Sequence, residues 1–362
     1  MILDTEIKKF AEQINKLEES CNTEMCFWEG CGLKVIGAHT VSRSKHLSLI
    51  KGRSINKVYS TDYSNWKFVK NDFVCELNKC KIDKEIISKI IPLDCRFGQP
   101  ISIEISIASA VPIFCNTHDK LFRSFENSDF NKTNLKQIAL HAFRSHAREY
   151  FRKLEDYKSL KQLNVKINEE YLKFKSFDVN KLLFQVQQST CSTLYGLKEL
   201  DETKIKLNKI VQEGRYSELT SRVFEFLGNS TVCCSSSFSP QYTCNNIRIN
   251  DPYSSTSKME PLFLSVFAEG GNTFVVFSCF SDSENSKQFI DNIPYEIEQV
   301  KKIVSSLIIT YVANAYFSLS FWDNLNGQEK DVLKNELRGT ISESVRKDDK
   351  EFIYCRTNFF HD

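Results

Sequence analysis

Two short segments, CFWEGC at 26–31 and FCNTHD at 114–119, constrain this chain more than any other part of it. The first sets Cys26 and Cys31 at C-x4-C spacing, and the second sets Cys115 and His118 at C-x2-H spacing. A tetrahedral zinc ion takes four thiolate or imidazole ligands, and structural sites gather them as two closely spaced pairs. The pairs predict one structural Zn2+ held by Cys26, Cys31, Cys115 and His118, with a chain path that returns residue 115 to residue 26. Other ligands compete in the sequence. Cys21 precedes Cys26, CELNKC repeats the spacing with Cys75 and Cys80, and His39 follows Cys31. Burial as small apolar side chains is the bland use of such cysteines.

Thirteen cysteines in 362 residues matter only together with the compartment. The N-terminus reads as an amphipathic helix with Ile7, Phe10, Ile14 and Leu17 on one face, without the apolar core of a signal peptide. That predicts a reducing, cytoplasmic setting, where clustered thiols bind metal rather than pair. A hydrophobic content of 41% and a charged content of 26% exclude collagenous and disordered classes. The absence of a repeat argues against a solenoid. Residues 303–322 carry no charge and are long enough to span a bilayer, but serines and Asn314 interrupt them; a buried core helix is expected, with no membrane partner. P-loop, dinucleotide and H-E-x-x-H patterns are absent, so ATP-, NAD- and protease-type chemistry finds no support.

The net charge of +2 is unevenly spread. Between 32 and 70 stand Lys34, Arg43, Lys45, Lys51, Arg53, Lys57, Lys67 and Lys70 against Asp62 alone. Such a run is either a solvated loop or a surface for phosphates, with Arg43 and Lys45 nearest His39. Further on, His141, Arg144, Arg148 and Arg152 recur at helical spacing. They predict one cationic helix face, either simply solvated or a groove for a nucleic-acid backbone.

Ile101, Ile103, Ile105 and Ile107 alternate through QPISIEISIASAVPIFC, the period of a strand ending on the Cys-x-x-His pair. Helical patterns follow from Thr133, a candidate N-cap, to Leu163 and from Val179 to Gln212. ELTSRVFEFLG reads as a short helix stopped by Gly228. TVCCSSSFSP reads as a strand, and PLFLSVFAEGGNTFVVFSCF as two strands joined at Gly-Gly-Asn. Helices around 286–292, 295–322 and 327–346 complete the chain. The expected class is α+β in three segments: a zinc module over 1–127, long helices over 128–228, and an α+β unit with an antiparallel hairpin over 229–362.

AHTVSRS at 38–44 looks like the AHI-x-P-x-S turn of HNH endonucleases, of the ββα-metal class, and CNTHDKLF resembles the segment closing the same finger. This likeness covers about 26–127. The arrangement also resembles an uncharacterised group of bacterial proteins that pair C-x4-C and SHT with FC-x-x-HD-x-x-LF. SFE at 124–126, FRSHAREYF at 143–151, EPLFLSVF and SFWDNL echo that group. The resemblance implies a treble-clef finger that binds and cleaves nucleic acid, with phage defence as its setting. It implies His39 as the general base and Asp119 as ligand of a catalytic Mg2+ or Mn2+. Ala38 stands where many HNH enzymes carry Asp, and SAVPIF offers no counterpart of the middle Asn. The alternative is a non-catalytic module, stabilised by zinc, whose C-terminal parts bind a protein partner.

Overall fold

PLFLSVFAE and NTFVVFSCF are almost uniformly apolar, the composition of strands covered on both faces. In a computed structural model they are central strands of a seven-stranded antiparallel sheet. The structure describes residues 25–51, 56–60, 100–174, 177–251, 258–343, 352 and 354–360. The N-terminal amphipathic pattern, Cys21, Cys75, Cys80, Arg53, Lys67 and Lys70 lie outside them.

The strands are β1 (Ile36–His39), β2 (Lys57–Ser60), β3 (Ile101–Glu104), β4 (Ala110–Phe114), β5 (Leu219–Leu227), β6 (Val232–Phe238), β7 (Leu262–Glu269), β8 (Asn272–Phe280) and β9 (Tyr316–Phe317). The longer helices are α1 (Leu135–Phe174), α2 (Phe177–Glu213), α3 (Glu284–Asn292), α4 (Ile297–Tyr311), α5 (Leu319–Asn324) and α6 (Gly327–Glu343). The large sheet runs β3-β2-β9-β6-β7-β8-β5, and β1 pairs with β4 separately. The fold is therefore α+β with antiparallel sheets, and the large sheet draws strands from each of the three sequence segments. The β7–β8 turn is Gly270-Gly271, both at positive φ (60° and 84°), as a tight two-residue hairpin requires.

Alternation in β7 sorts its side chains. Leu262, Leu264 and Val266 pack with Ile303 and Leu307 of α4 on one face. On the other, Phe263 joins Phe143 and Ala147 of α1. Each fully buried Phe or Leu contributes roughly 1.5–3 kcal/mol. The result is a sheet between two helical layers, with α1 pressed along the face that also meets the Cys/His segments.

Three sequence expectations are corrected. The isoleucine strand breaks in two: Ala108 and Ile107 turn back on the Glu104 carbonyl, and Ser109 adopts φ 59°. β3 thus serves the large sheet while β4 serves the small one. ELTSRVFEFLG is a strand, because β5 pairs along its whole length with β8, from Leu219↔Phe280 to Leu227↔Asn272. The uncharged run 303–322 is not one helix but the end of α4, then β9, then the start of α5. Its serines are docking points for the C-terminal segment: Ser306 Oγ accepts from Cys355 N (2.9 Å) and Ser305 Oγ from Phe359 N (3.2 Å). Among the described residues, no helix is long and apolar enough to cross a membrane.

The start of α1 is capped by Asn134 rather than Thr133. Its Oδ1 accepts from Lys136 N (3.1 Å) and Gln137 N (3.2 Å). Asn134→Ala is expected to lower stability by about 1 kcal/mol, read as a lower urea midpoint at unchanged slope.

Candidate functional site

Residues 25–34 fold back on themselves. Cys26 N donates to the Leu33 carbonyl and Cys31 N to the Trp28 carbonyl, both at 3.1 Å, and Gly30 takes the positive φ (75°) at the bend. The chain continues into β1, whose partner β4 delivers Cys115 to the start of a short helical turn, Asn116–Asp119. Two thiols from the bend and a thiol and imidazole from the turn converge, so Cys26, Cys31, Cys115 and His118 have ligand atoms within 4.8 Å of one another. Cys31 Sγ is 3.9 Å from Cys115 Sγ, and His118 Nδ1 is 3.5 Å from Cys26 Sγ and 3.3 Å from Cys115 Sγ.

A tetrahedron with ~2.3 Å zinc–sulfur bonds spaces its sulfurs about 3.8 Å apart. The four donors, all within 4.8 Å of one another, are placed to hold such an ion, and three thiols with one imidazole suit Zn2+. Around them, Cys115 N donates to Cys26 Sγ (3.3 Å) and Trp28 stacks on the His118 ring, centroids 4.6 Å apart. Burial pushes the Cys26 thiol up to about 12. Burial acts the same way on Cys115, but the N–H groups of His118 and Thr117 outweigh it and hold that thiol below its ordinary value. His39 is not a ligand of this cluster. Phe27 meets Phe143 of α1 edge-on with centroids 5.2 Å apart, Phe114 packs tilted on the same ring at 5.7 Å, and Asn208 of α2 receives Glu29 N at 2.9 Å.

His39 ends β1, half-buried. Its Nδ1 lies 2.8 Å from the Ala108 carbonyl and 3.4 Å from Ser109 Oγ. A carbonyl oxygen only accepts, so Nδ1 carries the proton and the neutral ring keeps its lone pair on Nε2. Burial lowers the pKa of the ring below its ordinary value; the Ala108 bond opposes this, and Arg43 and Arg144 reinforce it. Asp119, next to His118, is within electrostatic reach of His39. Burial lifts its carboxyl above the usual range, against the pull of Arg144, while Glu126 lifts it further. Its Oδ1 is buried without a hydrogen-bond partner.

The basic residues singled out in the sequence separate. Arg43 is exposed and close enough to His39 to act on it. Lys45 is engaged internally: Nζ donates to the carbonyls of Phe125 (2.8 Å) and Ser128 and pairs with Glu269 Oε1 at 2.8 Å. Arg144 and Arg148 are each 3% exposed, and Arg152 donates to Glu149 Oε2 at 3.0 Å. The α1 face expected to be either solvated or open to a nucleic-acid backbone is instead buried at Arg144 and Arg148. Polar partners line the seam of α1 and β6: Ser145 meets Ser235 (2.7 Å), and Glu149 accepts from Ser236 (2.8 Å).

Sequence reasoning missed Glu269, Trp28 and Glu126. Glu269 also accepts from Phe130 N (2.7 Å), so it ties the turn after β1 to the 125–130 loop and the β7–β8 hairpin. Its place beside the Gly-Gly turn was no signal for that. Trp28, inside the C-x4-C bend, was the visible one. The chain matches no family model, and no curated protein or solved structure matches it.

Proposed function

We propose that the Cys/His module is a treble-clef, HNH-like finger holding structural Zn2+, and that His39 and Asp119 beside it form a site for phosphodiester hydrolysis in nucleic acid. One observation carries this reading: His39, its Nδ1 fixed by the Ala108 carbonyl, sits within electrostatic reach of a carboxylate whose buried oxygen has no partner. Oriented imidazoles of lowered pKa are suited to general-base work near neutral pH. An orphaned carboxylate oxygen fits a hard divalent cation such as Mg2+ or Mn2+. When bound, that ion supplies charge stabilisation at the phosphate.

The chain's own part is to take the proton of the attacking water on His39 Nε2. The water oxygen–phosphorus bond forms, the phosphorus–ester oxygen bond breaks, and the departing oxygen takes a proton from solvent. Exposed Arg43 adds positive charge on the approach to His39. Cleavage of plasmid and RNA by the zinc-loaded protein with Mg2+ or Mn2+, compared with His39→Ala, tests the reading. Equal cleavage by both proteins removes His39 from the reaction. The rival, a zinc-stabilised module that binds a protein partner, draws on a groove of about 380 Å3 beside the bend, lined by Met25, Trp28, Pro112, Phe151 and Lys204. A wild type that keeps its zinc and cleaves neither polymer favours the rival.

A further inference from the structure

The large sheet ends on two unequal strands. At one border β3 offers four residues, Ile101–Glu104. At the other, β5 offers nine, Leu219–Leu227, with β8 on its inner side. Gly228 N donates to the Gly271 carbonyl (3.0 Å) and Ser281 N to the Glu218 carbonyl (2.8 Å), so the even-numbered residues of β5 face β8. The N–H and C=O groups of Ser221, Val223, Glu225 and Leu227 point the other way, and among the described residues nothing bonds them. The row begins after Leu219, whose N–H is taken by the Tyr216 carbonyl.

Unpaired ladder groups are a template for another strand, and edges are ordinarily blunted by a short strand, a lysine, a proline or a bulge. β5 has none of these. LTSRVFEFL holds no lysine and no proline, and its register with β8 is unbroken. The edge is also reachable: Leu227 is 88% exposed, Glu225 is exposed, and Ser221 and Val223 are half-buried.

β5 is complementary to a second copy of itself. A two-fold axis through Val223, its middle residue, sets Val223 against Val223 and Ser221 against Glu225 on one face. On the other face it sets Arg222 against Phe224 and Thr220 against Phe226. The residues with free backbone groups then fall opposite one another, as hydrogen-bonded antiparallel pairs require. Arg222 and Glu225 are the strand's only charged residues, and neither meets its like, a juxtaposition that would be destabilising. Glu225 meets a hydroxyl. Arg222, held by the Ile290 carbonyl at 3.0 Å and 4.7 Å over its own Phe224 ring, meets a second aromatic ring.

We propose that the free edge of β5 is a homodimer interface, in which two copies pair antiparallel about Val223 and the large sheet continues across the axis. The same patch serves both copies, so the assembly closes at two. A contact of this length belongs to the small, reversible class of interface. It rests on neither the zinc nor the cleavage reading.

The test is sedimentation of the full-length protein. Wild type is expected to pass from monomer to dimer within about 1–500 µM, the range of a small reversible interface. Hydrogen exchange at the Val223 amide should slow as the dimer forms. Val223→Pro removes a donor that β8 does not use, so it is expected to fold and to stay monomeric. Leu227→Lys, at the most exposed position, should weaken the dimer about tenfold. Val223→Cys should give a 223–223 disulfide, because Cα atoms of such a pair lie about 5.5 Å apart; peptide masses separate it from links through the native cysteines. Melting temperatures are followed in parallel. Wild type that stays monomeric over the whole range overturns the proposal, whatever the variants do, and leaves the edge to a strand from a different protein. A dimer that survives Leu227→Lys at full strength and keeps a fast Val223 amide lies elsewhere and overturns it too. A dimer without the 223–223 link overturns the axis.

Discussion

Cys115→Ser is expected to cost the protein its zinc and, with it, the order of the segment from the 26–31 bend to the 116–126 helical stretch. The protein should bind one zinc per chain, and the variant almost none. Structural zinc contributes roughly 10–16 kcal/mol of folding free energy in small finger peptides, as much as or more than a whole domain's net stability. Besides a metal, the Cys/His corner is held by the two-stranded sheet of β1 and β4 and by the packing of Phe27 and Phe114 on Phe143. Without metal, two or three thiols and an imidazole would face one another at 3.3–3.9 Å with weak hydrogen bonds between them. Cys26, pushed up to about 12 by burial, stays a neutral thiol at physiological pH until a metal displaces its proton. Zinc binding therefore releases protons, and affinity falls as pH falls and protons compete for the thiolates and His118. Elemental analysis and melting curves with and without chelator check this. Full zinc retention in Cys115→Ser would remove Cys115 from the ligand set. Because Phe27 and Phe114 pack on Phe143, loss of the module should also lower the melting temperature of the remainder.

The second large effect concerns rate. His39→Ala is expected to slow metal-dependent phosphodiester cleavage ~10²–10⁴-fold, the range for a general base, while leaving zinc content and melting temperature in place. Its ring is half-buried and lies outside the Cys/His cluster, so truncation removes a bond to the Ala108 carbonyl and little packing. The pH profile supplies a second reading of the same residue. Only the neutral ring accepts a proton, and burial holds its pKa below the ordinary value of 6.5. Activity should rise with pH, reach its plateau below the range of an ordinary histidine, and fall as acid protonates Nε2. A plateau reached only well above pH 7 would assign the base to another group.

The Cys/His cluster was legible because short spacings report which side chains share a turn, and metal-ligand chemistry restricts what they can do together. The pairing of Cys26 and Cys31 with Cys115 and His118 needed no knowledge of the 83 residues between the pairs. Strand identity in ELTSRVFEFLG was not legible. Leu219, Val223 and Leu227 satisfy helical spacing as well as strand spacing, and only the ladder to β8 decides between them. The arginine spacing on α1 gave the shared face of Arg144 and Arg148 but not the medium that face meets. Spacing carries no information about a neighbour, here Glu126 and the Phe122 ring under Arg144. Within the basic run after His39, spacing did not show that Lys45 turns inward to Glu269 and two loop carbonyls. Arg144 meets Glu126 and the Phe122 ring only because α1 lies across the helical stretch that follows His118.

The segment threaded between the two ligand pairs also supplies β2 and β3 to one end of the large sheet, joined through β9. The Cys/His segment is consequently not a cassette that can be cut free or grafted onto another scaffold. A fragment ending near residue 127 would carry two orphan strands. Its complement would expose Tyr316–Phe317 as a raw sheet border, an invitation to pair with other chains. Truncations that look natural in the sequence should therefore yield aggregates from both halves, and heredity of this architecture would have to proceed by changing residues in place rather than by exchanging pieces.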